Sequence, residues 1–182
     1  MTAEIPTSNP EKKEKLDDNA RKFVTGTLDP AFLDKNGASS FTLTVDWLET
    51  DENTEVKVAH KKFDDGKIQI LLIAKATKSG NRISEKEKIS EERYQQLKAS
   101  SVLHLEKKRY EFEYEQNGIP FSVKYDEFTD GKLNMLEVDA SSEDRRESFS
   151  PTDFPAELEE VTGDIRYYGY RVAEVINQPD QF

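Results

Sequence analysis

Lysine and arginine residues recur at positions that would share one face of a β-strand, where they could surround a negatively charged ligand. These cations are Arg82, Lys86 and Lys88 in one segment, Lys107 and Arg109 in a second, and Lys57 and Lys75 in two more. One interpretation is a sheet with a single water-facing side. Such a surface normally mixes both signs of charge, however. Clustered cations in a chain of net charge −11 favour an anion-binding site.

The segments that position these cations have the two-residue period of half-buried antiparallel strands. Phe41, Leu43, Val45 and Trp47 share one face of the first segment. Similar alternation is found at 54–59, 68–75, 107–114 and 121–126, with glycine-containing turns between the segments. The short connections exclude most parallel crossovers. Three helices are predicted. The first covers 91–99 after a Ser90 cap, the second is short and runs through Glu147 after a Ser141 or Ser142 cap, and the third covers 168–176.

The length of 182 residues suits one domain, and we expect a flexible tail over residues 1–16 and one domain over 17–182. The negative charge argues against nucleic acid and against anionic membranes as partners. The chain has no cysteine, which excludes disulfides and thiolate metal sites. No apolar signal core or bilayer-length run is found, so we expect a cytoplasmic protein. The sequence specifies no oligomeric state.

Several motifs occur in a fixed order between residues 18 and 173. Residues 160–167 read E-V-T-G-D-I-R-Y, residues 105–110 read L-E-K-K-R-Y, and residues 136–139 read L-E-V-D. They are similar to the patterns E-V-T-G-D-x-R-Y, I-x-K-x-R-Y and E-V-E of the CYTH proteins, also called triphosphate tunnel metalloenzymes. Weaker resemblances to that family are found at 54–59, 75–82, 89–94 and 126–133.

The resemblance implies a mainly β fold, an eight-stranded antiparallel closed barrel with helices outside. It also implies a charged lumen in which basic residues bind a triphosphate or polyphosphate and glutamates opposite them hold Mg²⁺ or Mn²⁺. Family substrates include inorganic triphosphate, thiamine triphosphate and ATP. This division of roles is physically reasonable, because arginine bonds two phosphate oxygens at once and hard cations prefer carboxylates.

The sequence departs from the family where metal-binding acids are expected. The E-x-E-x-K strand corresponds to 18–22, where Asp18 replaces the first glutamate and Ala20 the second. A second acidic pair would fall at Ser84 and Lys86. Glu85 and Glu87 lie one residue away, on the opposite strand face unless a bulge brings them inward.

The resemblance and the strand period together predict which residues line the lumen. The predicted phosphate-binding residues are Lys22, Lys57, Lys75, Arg82, Lys86, Lys107 and Arg109. The candidate metal ligands are Asp126, Glu137, Asp139 and Glu160, and Asp18 is a further acid predicted in the lumen. No catalytic residue is assigned.

Three functions remain open at this point. One is binding of a triphosphate-containing anion with hydrolysis that depends on Mg²⁺ or Mn²⁺. A second is binding by a catalytically weak or inactive relative of the family. The third, a fold kept only for protein interaction, is disfavoured by the number of cations.

Overall fold

The computed structural model describes residues 15–16, 20–51, 53–129, 131 and 133–177. Within these residues the chain forms one antiparallel sheet and four α-helices. The strands are β1 (Lys15–Leu16), β2 (Arg21–Thr25), β3 (Ser39–Thr50), β4 (Thr54–Phe63), β5 (Ile68–Lys78), β6 (Asn81–Lys88), β7 (Leu103–Gln116), β8 (Ile119–Phe128), β9 (Asn134–Asp139) and β10 (Leu158–Glu160). The helices are α1 (Pro30–Lys35), α2 (Glu91–Lys98), α3 (Glu143–Glu147) and α4 (Gly169–Ile176).

The sheet is antiparallel throughout, as the strand period predicts, and its order is β1-β6-β5-β4-β3-β7-β8-β9-β2-β10. Ten strands are found where eight were expected, because the short β1 and β10 are added at the two ends. In the described residues no hydrogen-bonded ladder joins β1 to β10. Hydrogen bonding between the two end strands therefore does not confirm the expected closed barrel.

Chain connectivity nevertheless requires the sheet to curl. Leu16 pairs with β6 near one edge, whereas Arg21 pairs with β9 near the other. Five residues span at most about 18 Å, whereas eight strand steps across a flat sheet would span about 38 Å. The two edges must therefore approach each other, and the sheet encloses an interior.

The two faces of the curled sheet bury separate apolar clusters. Phe41, Leu43, Val45 and Trp47 of β3 point to the inner face, where Val172 and Ala173 of α4 also pack. The outer face of β7, β8 and β9 packs against α1 and the segment containing Phe149 and Phe154. A third cluster joins the outer face of β4 and β5 to Tyr94 of α2.

Local signals place the helix ends and one tight turn. Ser90 accepts a hydrogen bond from the backbone N–H of Arg93 at the start of α2, and Ser142 does the same for Arg145 at α3. Asn117 and Gly118 both have positive φ, as the two-residue turn between β7 and β8 requires.

Two further results bear on the sequence-based expectations. Helix α1 was not predicted; it begins with an Asp29 cap and a proline in its first turn. Of the predicted tail, only Lys15 and Leu16 lie within the described residues, where they form β1.

No helix in the described part of the chain has the length and apolarity needed to cross a membrane.

Candidate functional site

The inner face of the sheet encloses a cavity of about 220 Å³. All seven cations predicted to bind phosphate line it: Lys22, Lys57, Lys75, Arg82, Lys86, Lys107 and Arg109. They come from β2, β4, β5, β6 and β7, so their convergence depends on the curl of the sheet. The structure brings these residues together; their role as phosphate ligands stays a prediction.

Four more charged residues line the cavity that the sequence reasoning did not assign to it. They are Lys61, Lys124, Glu55 and Glu111. With Asp126 and Glu137, the described lining residues comprise nine cations and four carboxylates, a surplus of five positive charges. The alternation of side chains along each strand could have predicted the additional residues. Glu55 and Lys61 share a strand face with Lys57, and Lys124 shares one with Asp126.

Glu55 forms the centre of one group of charges. Its Oε1 accepts hydrogen bonds from Trp47 Nε1 and Lys57 Nζ, both at 2.7 Å. Its Oε2 accepts one from Arg82 Nη2 at 2.8 Å. Burial alone would raise the pKa of Glu55, but Lys57, Trp47 and other neighbours outweigh it and lower that pKa to about 2. Glu55 is therefore a permanent anion at neutral pH.

Asp126 forms the centre of a second group. It lies directly opposite Arg109 in the β7–β8 register, so the two side chains share the inner face. Arg109 donates to both carboxylate oxygens at 2.7 and 2.8 Å, and Lys107 Nζ donates to Oδ2 at 2.7 Å. Burial would raise the pKa of Asp126, but Arg109 and Lys107 hold it well below its usual range.

A row of alternating charge crosses the inner face beside the Asp126 group. Lys22 on β2 lies opposite Glu137 on β9, which lies opposite Lys124 on β8, which lies opposite Glu111 on β7. Burial would raise the pKa of Glu137, but Arg109 and Lys22 keep it below its ordinary value. Opposite charges on neighbouring strands stabilise the row, as in other sheets.

Lys57 lies at a position in the cavity where burial and neighbouring cations disfavour its charge. Its side chain is 16% exposed, and burial followed by repulsion from Lys75 lowers its pKa to about 8, despite the attraction of Glu55. Lys107 also repels it. Burial lowers the pKa of Lys107 too, against the pull of Asp126. These two ammonium groups therefore lose their protons more easily than a lysine in water.

Aromatic residues form another part of the cavity wall. Tyr167, Tyr168 and Tyr170 line the cavity at the start of α4, and the Lys22 ammonium lies 5.1 Å from the centre of the Tyr168 ring. A Cβ on Gly169 would lie 3.3 Å from the Trp47 ring, so the helix start packs closely on Trp47. No sequence signal indicated that this helix packs into the interior.

Two of the predicted metal ligands lie away from the cavity lining. Glu160 is opposite Phe23 in the β10–β2 register, so it shares the outer face with Arg21 and forms a bidentate ion pair with it at 2.9 Å. Asp139 is at the far end of β9, where Arg146 Nη1 contacts its Oδ1 at 3.3 Å. Asp18 lies outside the described residues.

The register of β6 shows which of its side chains face the cavity at the positions where the family resemblance places metal-binding acids. Lys75 is opposite Ser84 and Ile73 is opposite Lys86, and the β5–β6 ladder runs without a register shift. Lys86 lines the cavity and Ser84 shares its strand face, whereas Glu85 and Glu87 lie on the opposite face. The bulge that would have turned these glutamates inward is not formed.

The described residues do not fit the divalent metal that the family resemblance implies. Only Asp126 and Glu137 of the four candidate ligands line the cavity. Both Asp126 oxygens are engaged by Lys107 and Arg109. Among the described residues, no three histidine, aspartate or glutamate side chains are grouped to hold a metal ion.

A separate polar cluster lies on the outer face and does not contribute to the cavity. Asp46 is 1% exposed and accepts hydrogen bonds from Tyr94 Oη at 3.1 Å and from His104 Nδ1 at 2.8 Å. These bonds fix α2 and the start of β7 on β3. The cluster satisfies a buried carboxylate and is structural.

Two crystal structures of the protein NE1496 resemble this chain. One, of NE1496 as a hypothetical protein, has a TM-score of 0.59 and 22% identity and covers 86% of this chain and 97% of its own. The other, of the inorganic triphosphatase NE1496, has a TM-score of 0.58 and 22% identity and covers 85% and 95%. At this identity the likeness establishes the fold. No family model matches the chain, and no curated protein matches it.

Proposed function

We propose that this protein binds a triphosphate-containing anion in the cavity of its curled sheet. The observation that carries the proposal is the surplus of five positive charges among the described lining residues, in a chain of net charge −11. Charge of one sign concentrated in a partly enclosed cavity attracts ions of the opposite sign. A compact polyanion would relieve the repulsion that lowers the pKa of Lys57.

The arrangement of the cations suits a short chain of phosphates. Nine cations on six strands surround one cavity, so several phosphate groups of one molecule can be contacted at once. Arg109 and Arg82 can bond two oxygens each, and the lysines act as adaptable point charges. A monophosphate would satisfy only part of this set.

The fold likeness supports the same ligand class. The structure of NE1496 with which this fold is shared is that of an inorganic triphosphatase. Inorganic triphosphate, a nucleoside triphosphate and thiamine triphosphate all carry the group that the cations would contact. The proposal extends to that shared group.

The direct experiment is calorimetric titration of the protein with inorganic triphosphate and with monophosphate, at low and at high salt. We expect triphosphate to bind more tightly than monophosphate, and its affinity to fall with salt because several ion pairs are screened. The absence of binding heat for both ligands at low salt would overturn the proposal.

Hydrolysis of the bound anion is a second candidate function, favoured by the fold shared with an inorganic triphosphatase. It is tested by measuring phosphate release from inorganic triphosphate and from ATP in Mg²⁺, in Mn²⁺ and in EDTA. Release that depends on the protein would establish an enzyme, and its absence alongside binding would leave the binding function.

A further inference from the structure

We infer that the cavity binds its polyanion without a divalent metal, and that Glu55 and Asp126 are internal counter-ions of the cations, not metal ligands. This inference rests on the proposed function and specifies the form of ligand that the site takes. It depends on three observations: the donors that engage Glu55, the donors that engage Asp126, and the position of Lys86.

The first observation is that both oxygens of Glu55 are already engaged by donors. Oε1 accepts from Trp47 and Lys57, and Oε2 accepts from Arg82. A metal ion at either oxygen would have to compete with these donors, two of which are cations. Because the side chain is only 6% exposed, no water-facing lone pair offers an easier approach.

The second observation is that Asp126 is engaged in the same way. Three hydrogen bonds from Arg109 and Lys107 cover both of its oxygens. The group carries one net positive charge, since two cations share one carboxylate. A divalent ion approaching Asp126 would meet repulsion from both partners at short range.

The third observation concerns the position where the resemblance places a metal-binding glutamate. Lys86 faces the cavity there, opposite Ile73 in the β5–β6 register. It adds positive charge to the wall that would need to be negative. Together with the surplus of five positive charges, this favours a fully ionised phosphate chain over a metal–phosphate complex.

Each observation predicts how the affinity responds to a metal. Mg²⁺ bridges phosphate oxygens and neutralises part of their charge. A cavity that recognises the free anion should therefore bind the magnesium complex more weakly. A cavity that holds the metal should bind triphosphate more tightly when Mg²⁺ is present.

The test is titration of the full chain with inorganic triphosphate in EDTA, in Mg²⁺ and in Mn²⁺ at constant ionic strength. We expect the tightest binding in EDTA and a severalfold loss of affinity in either metal. Binding that occurs only with Mg²⁺ or Mn²⁺ would overturn the inference and leave the proposed function standing. Absence of triphosphate binding under all three conditions would overturn the proposed function itself.

A substitution at Glu55 gives an independent test. The counter-ion role and the metal-ligand role predict opposite changes in triphosphate affinity. Glu55→Gln keeps the shape and an acceptor for Trp47 but removes the internal anion. At a pH low enough to keep Lys57 protonated, we expect it to tighten triphosphate binding in EDTA by on the order of tenfold, because Lys57 and Arg82 become available to the ligand. If Glu55 were a metal ligand, the same variant would bind triphosphate more weakly in the presence of the metal.

Asp64→Asn is the matched control. Asp64 is also ion-paired, with Lys108 at 2.8 Å, but it lies in an exposed turn. We expect this change to leave triphosphate affinity unchanged. Equal tightening in both variants would mean that net charge alone acts, which would overturn the role of Glu55. If Glu55→Gln does not fold, the wild-type comparison of EDTA with metal decides the inference.

Discussion

Trp47 Nε1 and Lys57 Nζ both donate to the same oxygen of Glu55, each at 2.7 Å. Trp47 is the only tryptophan in the chain, and it is 1% exposed. The Lys57 ammonium also lies 5.5 Å from the centre of its ring. The indole is therefore coupled directly to the charges of the cavity, and its fluorescence reports on them.

We expect triphosphate to change the emission of Trp47, because a ligand that draws Lys57 away from Glu55 alters the field at the indole. Titration followed by tryptophan fluorescence should give the same affinity as calorimetry. An unchanged emission spectrum at saturating ligand, with binding heat present, would mean that the anion binds away from the Glu55 group.

Arg109→Ala should weaken triphosphate binding by about 2 kcal/mol or more, since it removes a charge-assisted contact with two phosphate oxygens. Lys108→Ala is the control, because it removes the neighbouring cation from the outer face of the same strand. Calorimetry at low salt measures both variants. Equal losses in the two variants would contradict the placement of the ligand in the cavity.

Binding of triphosphate should be accompanied by proton uptake near pH 8. Lys57 has a pKa of about 8 in the free protein, and a bound polyanion favours its charged form and raises that pKa. For the fully ionised ligand, the protonation state of Lys57 should leave the affinity unchanged below pH 8 and should lower it as the pH rises through 8. Calorimetry in buffers of different ionisation enthalpy measures the uptake.

Lys57→Arg is the control for proton uptake, because arginine keeps its charge at every accessible pH. We expect this variant to bind triphosphate with little uptake near pH 8. Uptake as large as in the wild type would assign the proton to another group.

Asp126→Asn should destabilise the free protein by about 3–5 kcal/mol, because it leaves Lys107 and Arg109 buried without their carboxylate. Urea unfolding measures the effect. Triphosphate should restore part of the lost stability by supplying new anionic partners. Asp64→Asn, which breaks an exposed pair, should change the stability by less than about 1 kcal/mol. Similar losses in the two variants would contradict the buried role of Asp126.

Replacing both Ser84 and Lys86 by glutamate should create Mn²⁺ affinity, since both positions face inward on β6. Calorimetric titration with Mn²⁺ compares the double variant with the wild type. Lys108→Glu adds an acid on the outer face and should have no such effect. A folded double variant that binds Mn²⁺ no better than the wild type would contradict the assigned register.

The sequence predicts well which side chains share a strand face, because side chains alternate along each single strand. The inward direction of Lys57, Lys107 and Arg109 follows from alternation with apolar neighbours. Which carboxylate each cation meets depends on register between strands that are distant in sequence. The pairing of Asp126 with Arg109 could therefore not be read from either segment alone.

Two contacts that the sequence did not reveal have the same origin. Glu160 was assigned with the cavity acids from its motif, but its register opposite Phe23 turns it outward to Arg21. Helix α4 was predicted, yet its packing into the interior depends on a tertiary fit between Gly169 and Trp47. Alternation within one strand contains no information about either contact.

The pairing of β2 with β10 also determines when the outer-face ion pair of Arg21 can form during synthesis. Arg21 and its partner Glu160 are 139 positions apart in the chain. At typical translation rates the ribosome needs on the order of ten seconds to make that interval. For this time β2 has been made but β10 has not. The ion pair of Arg21 with Glu160 therefore forms only near the end of translation, and a chain that stops before β10 lacks it.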